Sequence, residues 1–211
     1  MTFAATKGKF PRVIIAGAGL GGLTLAVALL KRGFDVDIYE QSPELREVGA
    51  GLWISANGSR VLEALGLRKA IEAINLPPED RVIRYWATGE EFSVYNRDAN
   101  ASKADHTLVQ VPRAELQRVL YEAVVALKPN AVHFGVRSVG VEAAGNRARL
   151  LLDAGSAIEG DVVVGADGAH SRVRESLFGA APARFTDAIA WRGLAPMSRL
   201  KPQHRRPVAH N

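Results

Sequence analysis

The sequence predicts an α/β protein built around a parallel sheet. The apolar, β-branched runs VIIA at residues 13–16 and VVV at residues 162–164 are typical of strands that are buried on both faces. Leucine and alanine repeat at helical spacing after the first run, as far as Gly33. The alternating run DVDIY at residues 35–39 comes next. The order strand, helix, strand predicts a βαβ unit, whose two strands lie parallel in one sheet.

Residues 17–22, between the first strand and the helix, read GAGLGG. Gly17 permits a tight turn out of the strand, Gly19 leaves room for a phosphate at the backbone, and Gly22 lets the helix pack closely on the strand. The start of the helix offers free N–H groups and the positive end of its dipole. A glycine turn of this pattern between a strand and a helix is the dinucleotide-binding fingerprint. The flanking elements favour this interpretation over a glycine-rich turn without a ligand.

Glu40 closes the second predicted strand. A carboxylate in this position can accept hydrogen bonds from both hydroxyls of a ribose, and it would repel a 2′-phosphate. The predicted ligand therefore carries an unmodified adenosine ribose, as FAD and NAD do, rather than the phosphorylated ribose of NADP.

The remaining chain alternates short helices and strands without an internal repeat. Leu116, Leu120, Val124 and Leu127 share one face of a helix predicted over residues 113–127. The turns AAGNR and DAGSA separate strands at residues 136–143, 147–152 and from 158 onward, which predicts an antiparallel meander. Further helices are predicted at residues 57–65 and 68–74, and further strands at 82–87, 91–95, 107–111 and 132–134.

Composition narrows the classes of function. The 211 residues, 47% of them hydrophobic, suffice for one large domain or for a domain and part of another. The sequence has no cysteine, which excludes disulfides and thiol catalysis and suits a cytoplasmic location. The five histidines lack the spacing of metal ligands, so no metal site is predicted.

The basic residues behind the net charge of +5 are scattered and lack interleaved aromatics. An anionic cofactor and a small acidic substrate explain this charge more simply than nucleic acid does. No apolar run approaches the length of a membrane span, so no integral membrane segment is predicted. Residues 1–11 are interpreted as a loose tail rather than a signal peptide.

A second glycine turn, GADG at residues 165–168, follows the run at 162–164. Ser171 is a natural N-cap for a helix over residues 172–177. Asp167 is thus expected at the carboxyl end of a central strand, and beside the first glycine turn if the two strands are neighbours. On this local pattern alone, helix capping and ligand binding explain Asp167 equally well.

Together these motifs resemble the N-terminal half of the group A FAD-dependent monooxygenases, which include the p-hydroxybenzoate and salicylate hydroxylases. The resemblance covers nearly all of residues 12–195 and rests on GAGLGGLTLA followed by Glu40, REVGAGLWISANGSRVLEALGL, VPRAELQRVL, VVVGADGAHSRVR and AWRGL. The Asp167-Gly168 pair, followed by Ser171 and Arg174, separates this family from plain Rossmann dehydrogenases. The resemblance therefore favours ligand binding for Asp167.

The resemblance implies a Rossmann-like FAD-binding domain over residues 12–180, with a parallel central sheet and an antiparallel meander. The beginning of a substrate-domain β-sheet follows at residues 181–211. FAD is the implied cofactor, NADH or NADPH the electron donor, and O2 and a small acidic aromatic molecule the substrates of a hydroxylation. No catalytic side chain is identified. The implied cofactor-binding residues are Gly17, Gly19, Leu20, Gly22, Glu40, Gln41, Arg46, Arg113 and Asp167.

Three of these residues have implied roles of their own. Arg46 would reach the phosphate–ribityl region of FAD, while Arg113 and Asp167 would approach the ribityl or pyrophosphate groups. A solvated loop position for Arg46, and an ion pair at a helix start for Arg113, are the alternatives. Trp53, after the loop at residues 49–51, is interpreted as a core residue in preference to one near the flavin.

Members of the family are about twice this length, within the range of two-domain enzymes. We therefore interpret the chain as part of a longer enzyme and expect no hydroxylation by these 211 residues alone. The final KPQHRRPVAHN is predicted to complete no element. An epoxidase or flavin reductase of the same fold and a catalytically inactive nucleotide-binding module remain alternatives, and a homodimer is left open.

Overall fold

The computed structural model describes residues 10–45, 51–76, 80–96, 109–189, 196–202 and 208–210. The chain divides into two compact units, and each unit is discontinuous in sequence. The first unit comprises Met1–Arg46 and Gln117–Ala188, and the second comprises Glu47–Leu116 and Ile189–Asn211. The domain limits inferred from the sequence, 12–180 and 181–211, stay a prediction because these units are defined by compactness alone.

The described helices and strands follow one another in a mixed order, with one short 3-10 turn at Met197–Arg199. In chain order they are β1 (Arg12–Ala16), α1 (Leu20–Leu30), β2 (Asp35–Glu40), β3 (Gly51–Ile54), α2 (Ala56–Ala64), α3 (Arg68–Ile74), β4 (Asp80–Arg84), β5 (Glu91–Asn96), β6 (Val109–Pro112), α4 (Arg113–Leu127), β7 (Val132–Phe134), β8 (Ser138–Ala144), β9 (Arg147–Leu152), β10 (Ala157–Gly160), β11 (Val162–Gly165), α5 (Arg172–Phe178) and β12 (Val208–His210).

A parallel sheet of four strands, in the order β11-β1-β2-β7, forms the centre of the first unit. Alternation along β1 sends Ile15 toward the face on which α1 packs, and Ile14 toward the opposite face. There Ile14 joins Tyr39, Leu150 and Val173 in one buried cluster. The predicted α/β fold is therefore confirmed, with helix α1 on one face and the meander and α5 on the other.

The meander is an antiparallel sheet of three strands, β10-β9-β8, as the sequence predicted. This sheet lies close to β1 at Gly160, where a Cβ would come within 2.7 Å of the Ile14 side chain. Ser176 of α5 ties this sheet to the following helix. Its hydroxyl donates to the carbonyl of Val141 and accepts from the N–H of the same residue, at 2.9 and 3.2 Å.

Helix α4 begins and ends where the sequence predicted. Leu116, Leu120 and Val124 of its predicted apolar face are buried. Leu127 is 44% exposed, because it is the last helical residue and the chain turns immediately after it. Among the described residues, no helix is long and apolar enough to cross a lipid bilayer.

The second unit contains the antiparallel pair β3-β6 and a sheet in the order β12-β4-β5. Gly51–Ile54 form a strand that pairs with β6, which the sequence analysis did not predict. Val208–His210 form a strand parallel to β4, so the prediction that the final segment completes no element is wrong. Trp53 of β3 is 42% exposed, so its interpretation as a core residue is also wrong.

Both missed strands are short and pair with residues far away in the sequence. A run of three or four residues carries too little alternation to reveal a strand by period, and its stability comes from a partner that local patterns do not show. The same reason explains why the predicted strand at residues 82–87 is found at Asp80–Arg84, where β12 and β5 are its neighbours.

Asp37 is a buried acid at the middle of the parallel sheet, and two cations compensate it. Its carboxylate accepts hydrogen bonds from Arg12 Nη2 at 2.8 Å and from Lys128 Nζ at 2.7 Å. Lys128 also reaches Asp35 at 2.8 Å. Burial pushes the pKa of Asp37 upward, but the hydrogen bonds and charges of Lys128 and Arg12 outweigh burial, so this pKa lies below its ordinary value.

We expect Asp37→Asn to lower the free energy of unfolding at pH 7 by about 2 kcal/mol, because Arg12 and Lys128 both lose the charge of a buried carboxylate. Since the pKa of Asp37 is lower in the folded than in the unfolded chain, its stabilisation is present above about pH 4 and disappears as the pH falls further. Urea unfolding between pH 3 and pH 7 should therefore show a wild-type advantage that shrinks in acid.

Asp35→Asn is the matched control, because Asp35 shares Lys128 but its side chain is half exposed. We expect a change below about 0.5 kcal/mol for this variant. Equal losses for both variants would contradict the special role of Asp37.

Candidate functional site

The two glycine turns lie side by side at the carboxyl ends of β1 and β11. These strands are parallel neighbours, with Ala16 opposite Gly165, and the N–H of Ala166 donates to the carbonyl of Ala16 at 2.8 Å. The predicted adjacency of Asp167 to the first turn is therefore found. Strand β11 is the last strand of the described sheet rather than a central one, because its second side has no described neighbour in that sheet.

Gly17 and Gly22 are required by close packing. Gly17 has a φ of +103°, and a Cβ there would lie 2.5 Å from the carbonyl oxygen of Ala166. A Cβ on Gly22 would lie 2.0 Å from the carbonyl oxygen of Gly17. Both distances are shorter than any real contact, so the turn and the seating of α1 depend on glycine at these positions.

Gly19 and Leu20 begin the helix at the open side of this turn. A Cβ on Gly19 would meet no atom within 4 Å. Gly19 is also the N-cap residue of α1, and it has no side chain with which to satisfy the N–H groups of the first helical turn. A helix start of this kind is an anion-binding arrangement of N–H donors and dipole, with space for a phosphate beside it.

Glu40 lies at the end of β2, next to this helix start. Its Oε2 accepts from the N–H of Ala18 at 2.8 Å, and its Oε1 accepts from the N–H of Ser42 at 2.9 Å. A carboxylate has about four acceptor positions, so these two bonds fix its orientation and leave about two positions for other donors. Two ribose hydroxyls would fill that remaining capacity.

Asp167 caps helix α5. Its Oδ2 accepts from the N–H groups of Arg172 and Val173 at 2.7 and 3.2 Å, and its Oδ1 accepts from the Ser171 hydroxyl at 2.5 Å. Ser171 in turn accepts from the N–H of Arg174 at 2.9 Å, which confirms the predicted N-cap. The structure thus shows the capping role of Asp167, while its contact with a cofactor stays a prediction.

Three further residues are implied by the resemblance. Gln41 is exposed beside Glu40. Arg46 lies outside the described residues. Arg113 opens α4 within the second unit and is partly buried, and its assignment to the cofactor stays a prediction.

Gln117 is a site residue that reasoning from the sequence missed. Its side chain is buried, and its Nε2 donates to the carbonyl of Ala18 at 3.0 Å. A signal was present, since this polar residue interrupts the apolar face between Leu116 and Leu120. Among the described residues, no group of three histidine or acidic side chains could hold a metal ion.

Comparison with known proteins identifies the family. The sequence matches the FAD binding domain family over residues 11–197. The chain belongs to this family. It is 37% identical over 190 residues to 3-amino-4-hydroxybenzoate 2-monooxygenase of Streptomyces cremeus, covering 89% of this chain and 47% of that protein. It is 31% identical to 6-hydroxynicotinate 3-monooxygenase of Pseudomonas fluorescens, covering 90% and 49%.

Solved structures agree with this assignment. Klebsiella pneumoniae HpxO in complex with FAD and uric acid is 30% identical and superposes with a TM-score of 0.71, over 85% of this chain and 44% of that chain. The 2-methyl-3-hydroxypyridine-5-carboxylic acid oxygenase is 32% identical with a TM-score of 0.69, over 81% and 43%. The chain spans about half the length of the curated relatives that it matches.

The first glycine turn fits the dinucleotide half of FAD. Open space at Gly19, the uncapped start of α1 and the spare acceptor positions of Glu40 match a pyrophosphate followed by a ribose. The expected FAD cofactor is confirmed by the family, and these residues are the ones expected to hold it.

We expect Gly19→Ala to fold normally and to bind FAD at least about tenfold more weakly. The backbone of Gly19 has φ −70° and ψ 178°, which alanine adopts without strain, and the new methyl group enters the space assigned to the pyrophosphate. FAD titration followed by flavin fluorescence measures the affinity, and urea unfolding measures the stability.

Gly21→Ala is the matched control, because a Cβ there also enters open space, but Gly21 is a helical residue of α1 whereas Gly19 is its N-cap. We expect this variant to bind FAD with unchanged affinity. Gly17→Ala should instead impair folding, since it combines a φ of +103° with a collision against Ala166. Wild-type affinity in Gly19→Ala would refute the location of the pyrophosphate.

We expect Asp167→Ala to lower the free energy of unfolding by about 1 kcal/mol through loss of the cap on α5. Asp167→Asn keeps an acceptor for the N–H groups of Arg172 and Val173, so it should retain most of the stability. The Asn variant therefore isolates the carboxylate charge. If Asp167 also contacts FAD, this variant binds FAD more weakly at nearly wild-type stability, and if Asp167 is only a cap, FAD titration gives the wild-type affinity.

Proposed function

We propose that this chain supplies the FAD-binding part of a flavin-dependent monooxygenase that hydroxylates a small aromatic acid, with NADH or NADPH as electron donor and O2 as oxygen source. The observation that carries the proposal is the pairing of an uncapped helix start at Gly19 with the half-satisfied carboxylate of Glu40. This pairing suits an unmodified adenosine ribose and its pyrophosphate.

The names of the relatives support the substrate class. Three of them act on 3-amino-4-hydroxybenzoate, 6-hydroxynicotinate or 2-methyl-3-hydroxypyridine-5-carboxylic acid. All three substrates are aromatic rings that carry a hydroxyl and a carboxyl group. A hydroxy-substituted benzoate or pyridine carboxylate is accordingly the substrate class that we propose here.

The cofactor and the residues of this chain have different roles in the proposed reaction. FAD, when bound, supplies electron transfer and oxygen activation, which amino-acid side chains do not provide. The chain contributes binding and orientation, since Gly19 and α1 would hold the pyrophosphate and Glu40 the ribose. We propose that Arg46, Arg113 and Asp167 contact the phosphate–ribityl region. The cytoplasmic location and the homodimer stay predictions from sequence.

The test uses the protein expressed from its whole reading frame, loaded with FAD. NADH and NADPH oxidation is followed with 4-hydroxybenzoate, 3-amino-4-hydroxybenzoate, 6-hydroxynicotinate and unsubstituted benzoate, and products are identified by mass spectrometry. We expect one hydroxylated aromatic acid to gain a single oxygen atom and to accelerate the oxidation of one donor. Hydrogen peroxide is measured in parallel, because uncoupled oxidation also consumes the donor.

Two results would contradict the proposal. Donor oxidation without any oxygenated product would favour the flavin reductase reading, and FAD binding without donor oxidation would favour an inactive nucleotide-binding module. In a matched pair, Glu40→Ala should lower FAD retention, whereas Glu122→Ala, an exposed acid on α4, should leave it unchanged.

A further inference from the structure

Ala18 is held from both sides in the middle of the first glycine turn. It is completely buried between Gly17 and Gly19. Its N–H donates to Glu40 at 2.8 Å, and its carbonyl accepts from Gln117 at 3.0 Å. These two side chains come from different elements, β2 and α4, so two separate parts of the fold determine the orientation of this one residue.

The burial of Gln117 has a cost that only a hydrogen bond offsets. Its neighbours on the helix, Leu116, Val119 and Leu120, are buried apolar residues. A buried amide without a partner destabilises a protein by roughly 1–3 kcal/mol, whereas an apolar residue of the same size would fill this position without that risk. The hydrogen bond to Ala18 is therefore the property that distinguishes glutamine from leucine or methionine at this position.

The peptide bond between Ala18 and Gly19 couples the orientation of the Ala18 carbonyl to that of the Gly19 N–H. Among the described residues no peptide bond is cis, and in a planar trans peptide the C=O and the following N–H point in opposite directions. Because Gln117 holds the carbonyl of Ala18, the N–H of Gly19 points away from Gln117. Gly19 is the residue whose Cβ would enter the open space at the start of α1.

We propose that Gln117 is a positioning residue for the cofactor: through the carbonyl of Ala18, it directs the N–H of Gly19 toward the pyrophosphate of FAD. This inference rests on the assignment of the pyrophosphate to the first glycine turn. It gives α4 a role in nucleotide binding that is separate from the one proposed for Arg113 at the beginning of the same helix. The turn is thus held in its binding conformation before the ligand arrives, which removes an ordering cost from binding.

Gln117→Met tests the proposal, because methionine has nearly the same length and volume but no donor. ADP is the probe, since it carries the ribose and diphosphate without the flavin. We expect ADP and FAD to bind about tenfold more weakly, which is the effect of losing one charge-assisted or well-aligned hydrogen bond. Hydrogen exchange of the Gly19 amide in the ligand-free chain should become faster. The urea midpoint should fall as well, because the buried carbonyl of Ala18 loses its donor.

Gln117→Glu adds a readout that a merely structural role does not produce. A carboxylate beside the carbonyl of Ala18 is repulsive, but a protonated carboxyl group can donate to it, and burial raises the pKa of the introduced acid. Relative to wild type, ADP affinity of this variant should therefore recover as the pH falls from 8 to 5.5. This pH profile also decides the question if the methionine variant does not fold.

Glu122→Gln, on the exposed face of α4, is the control and should bind ADP like wild type at every pH. Wild-type ADP affinity in Gln117→Met, or a Gln117→Glu variant whose affinity follows wild type across the pH range, would overturn the proposal. A protein whose ADP affinity depends on Gln117 but which forms no hydroxylated product would contradict the proposed function alone, so the two failures are distinguishable.

Discussion

The absence of a side chain at Gly17 is the constraint on which the two neighbouring glycine turns, at the carboxyl ends of β1 and β11, depend. A Cβ on Gly17 would lie only 2.5 Å from the carbonyl oxygen of Ala166, so the two glycine turns are in contact through their main chains. Gly22 continues the contact by seating α1 on the carbonyl of Gly17. One close approach thus fixes the start of α1, the end of β1 and the turn that carries Asp167.

The two helices that follow these turns differ in how their first N–H groups are satisfied. At α5, Asp167 and Ser171 accept from three backbone N–H groups, so the positive end of that helix is already compensated within the chain. At α1, the N-cap residue is Gly19 and has no side chain. An anionic ligand gains more by binding where the donors are still uncompensated, which favours α1 over α5 as the phosphate site.

The sequence predicted those features that depend on local pattern. The β1-α1-β2 unit, the meander, α4 and the Ser171 cap have periodicity or turn residues that indicate them directly. The strands β3 and β12 were missed because they are short and are stabilised by distant partners. Gln117 was missed for a related reason, since its partner Ala18 lies 99 positions away and only the fold brings the two together.

Two acids of β2, Asp37 and Glu40, differ in how the surrounding residues compensate their charge. Asp37 is buried and receives hydrogen bonds from two cations, Arg12 and Lys128, so its charge is neutralised within the sheet. The hydrogen bonds described for Glu40 come instead from the neutral N–H groups of Ala18 and Ser42, which orient the carboxylate without cancelling its charge. A carboxylate that keeps its charge repels a 2′-phosphate and still accepts from ribose hydroxyls. Three residues beyond the structural acid, the same strand therefore carries the group that we propose selects for an unmodified ribose.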